Sequence, residues 1–411
     1  MRLSPDTTLF SLGGVPLVGN LATGGVIGLT REGAALCHEL AERDVAASEV
    51  PEGCAELVRH LERGGYLEGA PLPRPRLRSA YLHVTQRCNL TCRLCYSEGD
   101  DRNRLEDPTL DELARAIGLL ADLGCARLTV SGGEPFLRPD LADVARRARA
   151  AGIDEVVVLT NGLLVDEKNV APLAGLVSCV AVAFDGTGPD APAHLRPSQN
   201  FDRLVAAVGT IRAAGIEARI LPTLHAANLD DMPRYERLAE ELGASLGYSL
   251  LTAPARSIAD LALDEAQLRE LGERSAASGL PGEDPAGSGA PALGVRHSCG
   301  AGVRCLSVAA DGTVYPCHML HDRRLAMGNA FTDSPASVMG SSVATTMRAL
   351  DVATFEHCSS CDVRHLCGGG CRARALMATG DLRGRDPYCE LSRAYYGAVG
   401  RGIGARFGER G

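Results

Sequence analysis

From Tyr81 to about Leu251 the chain alternates strand-like and helix-like segments, and nothing else in it limits the fold as sharply. The strand-like runs are YLHVT from 81, RLTVS from 127, EVVVLT from 155, CVAVAF from 179, ARILPT from 218 and LGYSLL from 246. One intervening helix opens at Thr109-Leu-Asp-Glu112, where the hydroxyl and carboxylate can cap each other's backbone. Consecutive βα units of this kind predict an α/β fold of parallel strands with helices outside, either an open barrel or a doubly wound sheet. In both, ligands gather at the carboxyl ends of the strands.

The flanks read differently. In residues 1–75, apolar runs broken by the turn Ala22-Thr-Gly-Gly25 precede two helix-periodic segments, which predicts a small three-stranded, winged-helix-like unit. The proline-rich PLPRPRLR follows as a semi-rigid linker, and the α/β core is placed at 76–274. Residues 275–298 open on SAASGLPGEDPAGSGAPALG, whose Gly, Pro, Ala and Ser content reads as a mobile connection. Residues 299–411 are cysteine-rich and read as short of long elements.

The start MRLSPDTTLF lacks an apolar signal core and no run of about 18 apolar residues exists, so a cytoplasmic protein without a membrane segment is expected. Net charge is −9 and Lys168 is the single lysine, so arginine here carries no weight as a sign of phosphate recognition. Without a basic block, nucleic-acid binding is not expected. Fifteen cysteines in a chain of this kind point to metal rather than to a disulfide framework.

Cys88, Cys92 and Cys95 stand in C-x3-C-x2-C spacing directly after the first core strand. A closed tetrahedral site wants four protein ligands, and three leave one metal open for chemistry. The bland alternative is a zinc site completed by a distant fourth ligand. Against it stands Ser131-Gly-Gly-Glu-Pro135 after the second strand, where paired glycines let the backbone approach a ligand and the glutamate offers a carboxylate to an amine. These two motifs resemble those of the radical S-adenosylmethionine (SAM) enzymes. The resemblance implies a partial (β/α)6 barrel in which the three cysteines hold a [4Fe-4S] cluster and SAM chelates its open iron. It further implies that Gly132, Gly133 and Glu134 bind the amino-acid end of SAM and that Thr160, Asn161 and Gly162 lie at the next strand end. Phe184-Asp-Gly186, His194 and Arg196 would bring the arginine to the SAM carboxylate.

Eight further cysteines follow: Cys299, Cys305 and Cys317, then Cys358, Cys361, Cys367 and Cys371, then Cys389. Taken alone, such pairs also suit zinc ribbons. Downstream of the first motif they resemble the SPASM extension, an auxiliary-cluster domain. The resemblance implies one [4Fe-4S] cluster on Cys299, Cys305, Cys317 and Cys371, a second on Cys358, Cys361, Cys367 and Cys389, and therefore three clusters with SAM. Cys37, Cys54, Cys125 and Cys179 are left as buried small apolar residues.

Two features point to a peptide substrate. Residues 1–75 resemble the element that docks the leader segment of ribosomally made precursor peptides on a sheet edge. The stretch Val314-Tyr-Pro-Cys-His-Met-Leu320 with Met327-Gly-Asn329 resembles enzymes that form thioether links in peptides. In the related sulfatase-maturating enzymes an aspartate acting as a base follows this cysteine; here His318 stands there and is a candidate proton acceptor. The resulting expectation is a radical SAM maturase forming an intramolecular thioether, served by a cytosolic one-electron donor such as ferredoxin or flavodoxin. The alternatives are a carbon–carbon crosslink, a sulfatase-maturase-like dehydrogenation, and a non-catalytic peptide-binding or electron-transfer protein.

Overall fold

The computed structural model describes residues 1–70, 77–97, 103–198, 200–254, 257–278 and 293–408. Strands β1 (Thr7–Leu12), β2 (Val15–Asn20) and β3 (Val26–Gly28) form an antiparallel meander. Helices α1 (Arg31–Glu42) and α2 (Ala55–Arg63) pack on one of its faces through Leu36, Leu40, Val58 and Leu61, with Cys37 and Cys54 buried among them.

The core follows in βα order: β4 (Ser79–His83), α3 (Leu110–Asp122), β5 (Arg127–Ser131), α4 (Leu141–Ala150), β6 (Glu155–Thr160), α5 (Glu167–Val170), β7 (Cys179–Phe184), α6 (Phe201–Ala213), β8 (Glu217–Leu224) and α7 (Met232–Leu242). The capping box forms as expected: Thr109 Oγ1 accepts from Glu112 N at 3.2 Å and the Glu112 carboxylate accepts from Thr109 N at 2.8 Å. The sixth strand is interrupted. β9 (Ser245–Leu246) and β10 (Ser249–Leu250) both pair in parallel with β8 in one continuous register, parted at Gly247 and Tyr248. Leu82 and Val130 face the helices in the main apolar core, whereas Tyr81 and His83 alternate to the other face of β4.

The sheet does not end at β4. After α8 (Glu265–Ser278), β11 (Cys305–Val308) joins β4 in parallel, and β12 (Thr313–Tyr315) and β13 (Gly328–Asn329) continue antiparallel. The sheet order is β10-β8-β7-β6-β5-β4-β11-β12-β13. Short helices α9 (Pro335–Gly340), α10 (Ser342–Arg348), α11 (Arg364–Cys367) and α12 (Arg372–Thr379) then lead to α13 (Cys389–Gly408).

Three expectations need correction. α8 runs to Ser278, so the expected linker begins inside a helix, because Leu268 and Leu271 on that helix bury an apolar stripe. The linker's tail is also packed: Val295 is buried between the first sheet and Leu366, and its N–H donates to Gly24 O at 3.2 Å. The expected stretches 71–76 and 279–292 lie outside the described residues. The cysteine-rich region, finally, carries a helix of 20 residues, α13, which packs along α8 and reaches the first sheet. A Cβ on Gly13 in the β1–β2 turn would lie 1.8 Å from Gly400 O, so helix and turn meet backbone to backbone. Among the described residues no helix is long and apolar enough to cross a membrane.

Leu12, Leu17 and Leu21 of the first sheet are buried against Val295, Leu366 and the partly buried Val399 and Ile403. Deleting residues 1–75 should therefore uncover an apolar face on α13. The expected result is a lower thermal midpoint and self-association in sedimentation experiments; an equally stable monomer would show that this contact contributes nothing.

Candidate active site

The loop after β4 carries the first three cysteines, and the loop after β5 clasps it. Gly133 N donates to Thr85 O and Glu134 N to Arg87 O, both at 2.8 Å. Gly132 takes φ 136°, and a Cβ on Gly133 would lie 2.0 Å from Arg87 O. The paired glycines thus answer first to the backbone of the cysteine loop, a neighbour that the sequence reading did not foresee. Thr85 Oγ1 and the Arg87 guanidinium both donate to Asp107, and Cys88 N donates to Asn103 Oδ1 at 2.8 Å.

Glu134 is fully buried. Its Oε1 accepts from Thr160 Oγ1 at 2.7 Å and Phe136 N at 3.1 Å, and its Oε2 accepts from Asn161 N at 2.8 Å. Burial pushes the carboxyl up, while these donors and the nearby Arg196 charge oppose the shift. A carboxylate has about four acceptor positions, so Oε2 keeps one for a ligand donor. Asn161 Nδ2 donates to Asn89 Oδ1 at 2.7 Å and lies 4.0 Å from Cys88 Sγ. Gly162 N donates to Thr160 Oγ1.

Asp185 shapes the opposite wall, accepting from Leu195 N at 2.8 Å and Arg196 N at 2.9 Å; the Arg196 guanidinium donates to Ala183 O. The same wall holds the cysteine loop, because Arg93 N donates to Leu195 O at 2.6 Å and Arg93 pairs with Asp260. Leu94, at φ 59°, packs against Leu251, Ile258 and Leu261. Cys88, Glu134, Thr160, Asn161 and Arg196 therefore share the carboxyl end of the sheet. The loop that carries the three cysteines sets Cys88 beside the Asn161 amide, with the Glu134 carboxylate and the Arg196 guanidinium at the same end, groups that can pair with the amino and carboxylate groups of an amino acid.

The C-terminal cysteines form two sets that cross in sequence. Cys317 is buried with Cys305, Cys371 and Cys299 around it, and its thiol is pushed well above its ordinary range by burial first and then by those three neighbours. Cys358 is pushed up to about 11 by burial and by Cys367, Cys389 and Cys361, with Arg372 opposing. Cys358, Cys361, Cys367 and Cys389 also line one cavity of about 500 Å³. Cys317 and Cys358 each have as neighbours the three cysteines grouped with them from the sequence. A bound polycation would release the protons of such thiols and take the thiolates. Among the described residues no group of three His, Cys, Asp or Glu is placed to hold a single metal ion.

Between the first cysteine loop and the Cys317 set lies a buried cluster of rings. His318 stacks on Tyr81 at 4.0 Å and meets Tyr96 edge-on at 5.4 Å. His83 lies 4.7 Å from His321, which stacks on Tyr315 at 4.5 Å and bonds Ser307 Oγ at 2.8 Å. Burial lowers His318 to about 3 and, together with its neighbours His321 and His318, takes His83 well below its usual range. Both ring nitrogens of His83 and the Nδ1 of His318 are buried without partners. His83, His321 and Tyr96 were missed from sequence. The only signal was the strand alternation that puts Tyr81 and His83 on one face, and it does not say what that face lines.

The Radical SAM superfamily model matches residues 82–239, and the SPASM iron-sulfur cluster-binding domain model matches residues 299–362. The chain is 29% identical over 371 residues to a PqqA peptide cyclase of Ruegeria pomeroyi, covering 84% of this chain and 96% of that protein. It is 28% identical over 334 residues to an AdoMet-dependent heme synthase of Methanosarcina barkeri, covering 74% and 94%. Among solved structures, native anSMEcpe with bound AdoMet superposes with TM-score 0.63 at 16% identity, over 80% of this chain and 99% of that one. Streptococcus suis SuiB bound to precursor peptide SuiA gives 0.60 at 13% identity, over 94% and 99%. These superpositions show the fold.

Two outcomes test the geometry. Gly133→Ala sets a methyl against Arg87 O, and the purified, reconstituted variant should hold less iron than wild type; full iron content would mean the clasp is dispensable. His225, buried beside His194, is lowered to about 4, chiefly by burial. Its unfolded form binds a proton below about 6.5 while the folded form does not, so stability is lost as pH falls from about 6.5 towards 4. His225→Phe should flatten the thermal midpoint across that window.

Proposed function

We propose that this enzyme, which carries a radical SAM domain followed by a SPASM domain, modifies a ribosomally made precursor peptide and closes an intramolecular thioether. The observation that carries the reading is the ring cluster joining the two halves of the site. His318, next to Cys317, packs on Tyr81 and Tyr96, and Tyr96 follows Cys95, so a substrate held there is within reach of both the SAM end and the first auxiliary set. The names of the relatives, a peptide cyclase among them, and the precursor bound in a structural neighbour support a peptide substrate.

Cys88, Cys92 and Cys95 would hold the SAM-binding [4Fe-4S] cluster, Cys299, Cys305, Cys317 and Cys371 the first auxiliary cluster, and Cys358, Cys361, Cys367 and Cys389 the second. When bound, these clusters and SAM supply electron transfer and the abstraction of a hydrogen atom from carbon. The chain's own residues orient and exclude. Glu134, Gly132, Gly133, Thr160, Asn161 and Arg196 hold the amino-acid end of SAM. The Tyr81, His83, Tyr96 and His321 rings keep water out and fix the substrate. His318 Nδ1 would accept the thiol proton as the sulfur–carbon bond forms, against the burial that holds the ring neutral. Residues 1–75 dock the leader segment, and a cytosolic one-electron donor of ferredoxin or flavodoxin type reduces the enzyme.

The identity to a heme synthase favours a second reading, a substrate that is not a peptide. Co-expression with a precursor peptide encoded beside the gene separates the two. The first reading expects a product lighter by two hydrogens per link, with one cysteine thiol per link lost to iodoacetamide even after strong reduction, since thioethers do not undergo thiol exchange. A lighter product with every thiol still alkylated places the link between carbons. No mass change in any encoded precursor, with 5′-deoxyadenosine still formed from SAM, would favour the second reading. Cys88→Ala should abolish 5′-deoxyadenosine formation, and Cys367→Ala should spare part of it while stopping modification.

A further inference from the structure

Arg372 is fully buried, among the largest side chains with no exposure, and among the described residues it has no carboxylate partner. Its guanidinium donates to Leu382 O and Gly384 O, both at 2.9 Å, and to Gly369 O, and lies 5.0 Å from the centre of the Phe355 ring. Its Nε has no acceptor. Two residues on, Arg374 shows the usual arrangement: it is buried in an ion pair with Asp386 at 2.9 Å. Carbonyls and a ring face solvate a cation without neutralising it, and a buried charge with no counter-charge is costly. A fold that keeps such a charge requires an anion nearby.

The anion is the second cysteine quartet. Gly369, which accepts from Arg372, lines the same cavity as Cys358, Cys361, Cys367 and Cys389. Phe355, under the guanidinium, accepts the Cys358 N–H at 2.9 Å. Cys371 of the other quartet directly precedes Arg372 in the chain, but the guanidinium itself is bonded to the wall of the second quartet's cavity at Gly369.

We propose that Arg372 is a positioning residue for charge: its fixed guanidinium, without a carboxylate partner among the described residues, raises the reduction potential of the second auxiliary cluster. The inference rests on the reading that this quartet holds a four-iron cluster. Such a core carries two positive charges and its four thiolates make the whole a dianion; one electron from an external donor makes it a trianion, with no bond made or broken. A buried cation favours the trianion over the dianion, because the attraction grows with the added charge and is weakly screened. The second cluster is then easier to reduce than it would be without the guanidinium, which suits an electron store or entry point.

The test is a dye-mediated, EPR-monitored redox titration of the reconstituted full-length holoenzyme with SAM present, on wild type, Arg372→Gln and Arg372→Lys, with iron counted first. A wild-type count lacking the second cluster's share overturns the cluster reading and this proposal with it. With iron intact, Arg372→Gln should weaken reduction of the second cluster at least tenfold, a potential 59 mV more negative for a one-electron couple. Arg372→Lys should stay within about threefold of wild type. An unchanged second cluster in an iron-replete Arg372→Gln enzyme overturns the charge role, and leaves the cluster reading standing. If Arg372→Gln does not retain the cluster, Arg372→Lys decides: a loaded enzyme with a near-wild-type potential supports the proposal, whereas loss of iron or a tenfold shift in it overturns it in favour of a role in holding the backbone.

Discussion

The parallel pairing of β11 with β4 is the contact on which the site depends. β4 delivers the chain to Cys88, and β11 starts at Cys305, so a run of ladder bonds from Cys305 opposite Ser79 to Val308 opposite Leu82 fixes one cluster loop against another. Pairing register also sets side-chain faces, and a slip by one residue would turn Tyr81 and His83 out to the helices and Leu82 in. The ring cluster between the two cysteine sets exists only in this register. Because the strands lie far apart in sequence, their pairing has a loop-closure cost that local contacts do not offset, so the packing of Leu306 and Val308 into the main core has to offset it.

The second constraint is the clasp of the Gly132–Glu134 loop on Thr85–Arg87. Its glycines are required by a backbone neighbour, and its glutamate ends by tying β5 to β6 through Thr160 and Asn161. Glu134 therefore joins three loops, its backbone N–H holding the cysteine loop and its carboxylate the loop after β6, and the remaining acceptor position on Oε2 is offered to a ligand in a water-poor setting where a hydrogen bond to charge is strong. Releasing the loop after β6 would leave a buried carboxylate short of donors.

Much of this was legible in the sequence. The alternation of apolar runs located β4 to β8 within a residue or two, and the cysteine spacing separated an open set of three from eight more. The crossing that takes Cys371 away from its neighbours Cys358, Cys361 and Cys367 came from resemblance, and the placement of the thiols agrees with it. What spacing could not reveal was contact across long separations. Val295 looked like part of a Gly- and Ala-rich tether, yet it is buried between the first sheet and Leu366. Gly400 and Gly404 are poor helix formers, and they sit in α13 where a smooth helix face meets the Gly13 turn. His83 was unmarked because a histidine in a strand looks the same whether its face meets solvent, core or site.

The apolar core around the two C-terminal quartets is small, with Leu350, Val352 and Phe355 its larger members, and it includes Cys358 itself. Around it lie groups that are unfavourable without a cofactor: thiols crowded by thiols, a guanidinium without a carboxylate, and imidazoles held neutral by burial. Each costs on the order of 1–3 kcal/mol when left unsatisfied, a sum that such a core cannot absorb alone. With a polycationic group bound, the thiols would release their protons to solvent, and the resulting anion would pair with the arginine. Binding free energy and folding free energy are then one quantity for this region. The long α13 begins at Cys389 among the second set of cysteines and packs against the β1–β2 turn, so the first sheet rests on a helix that starts at that set.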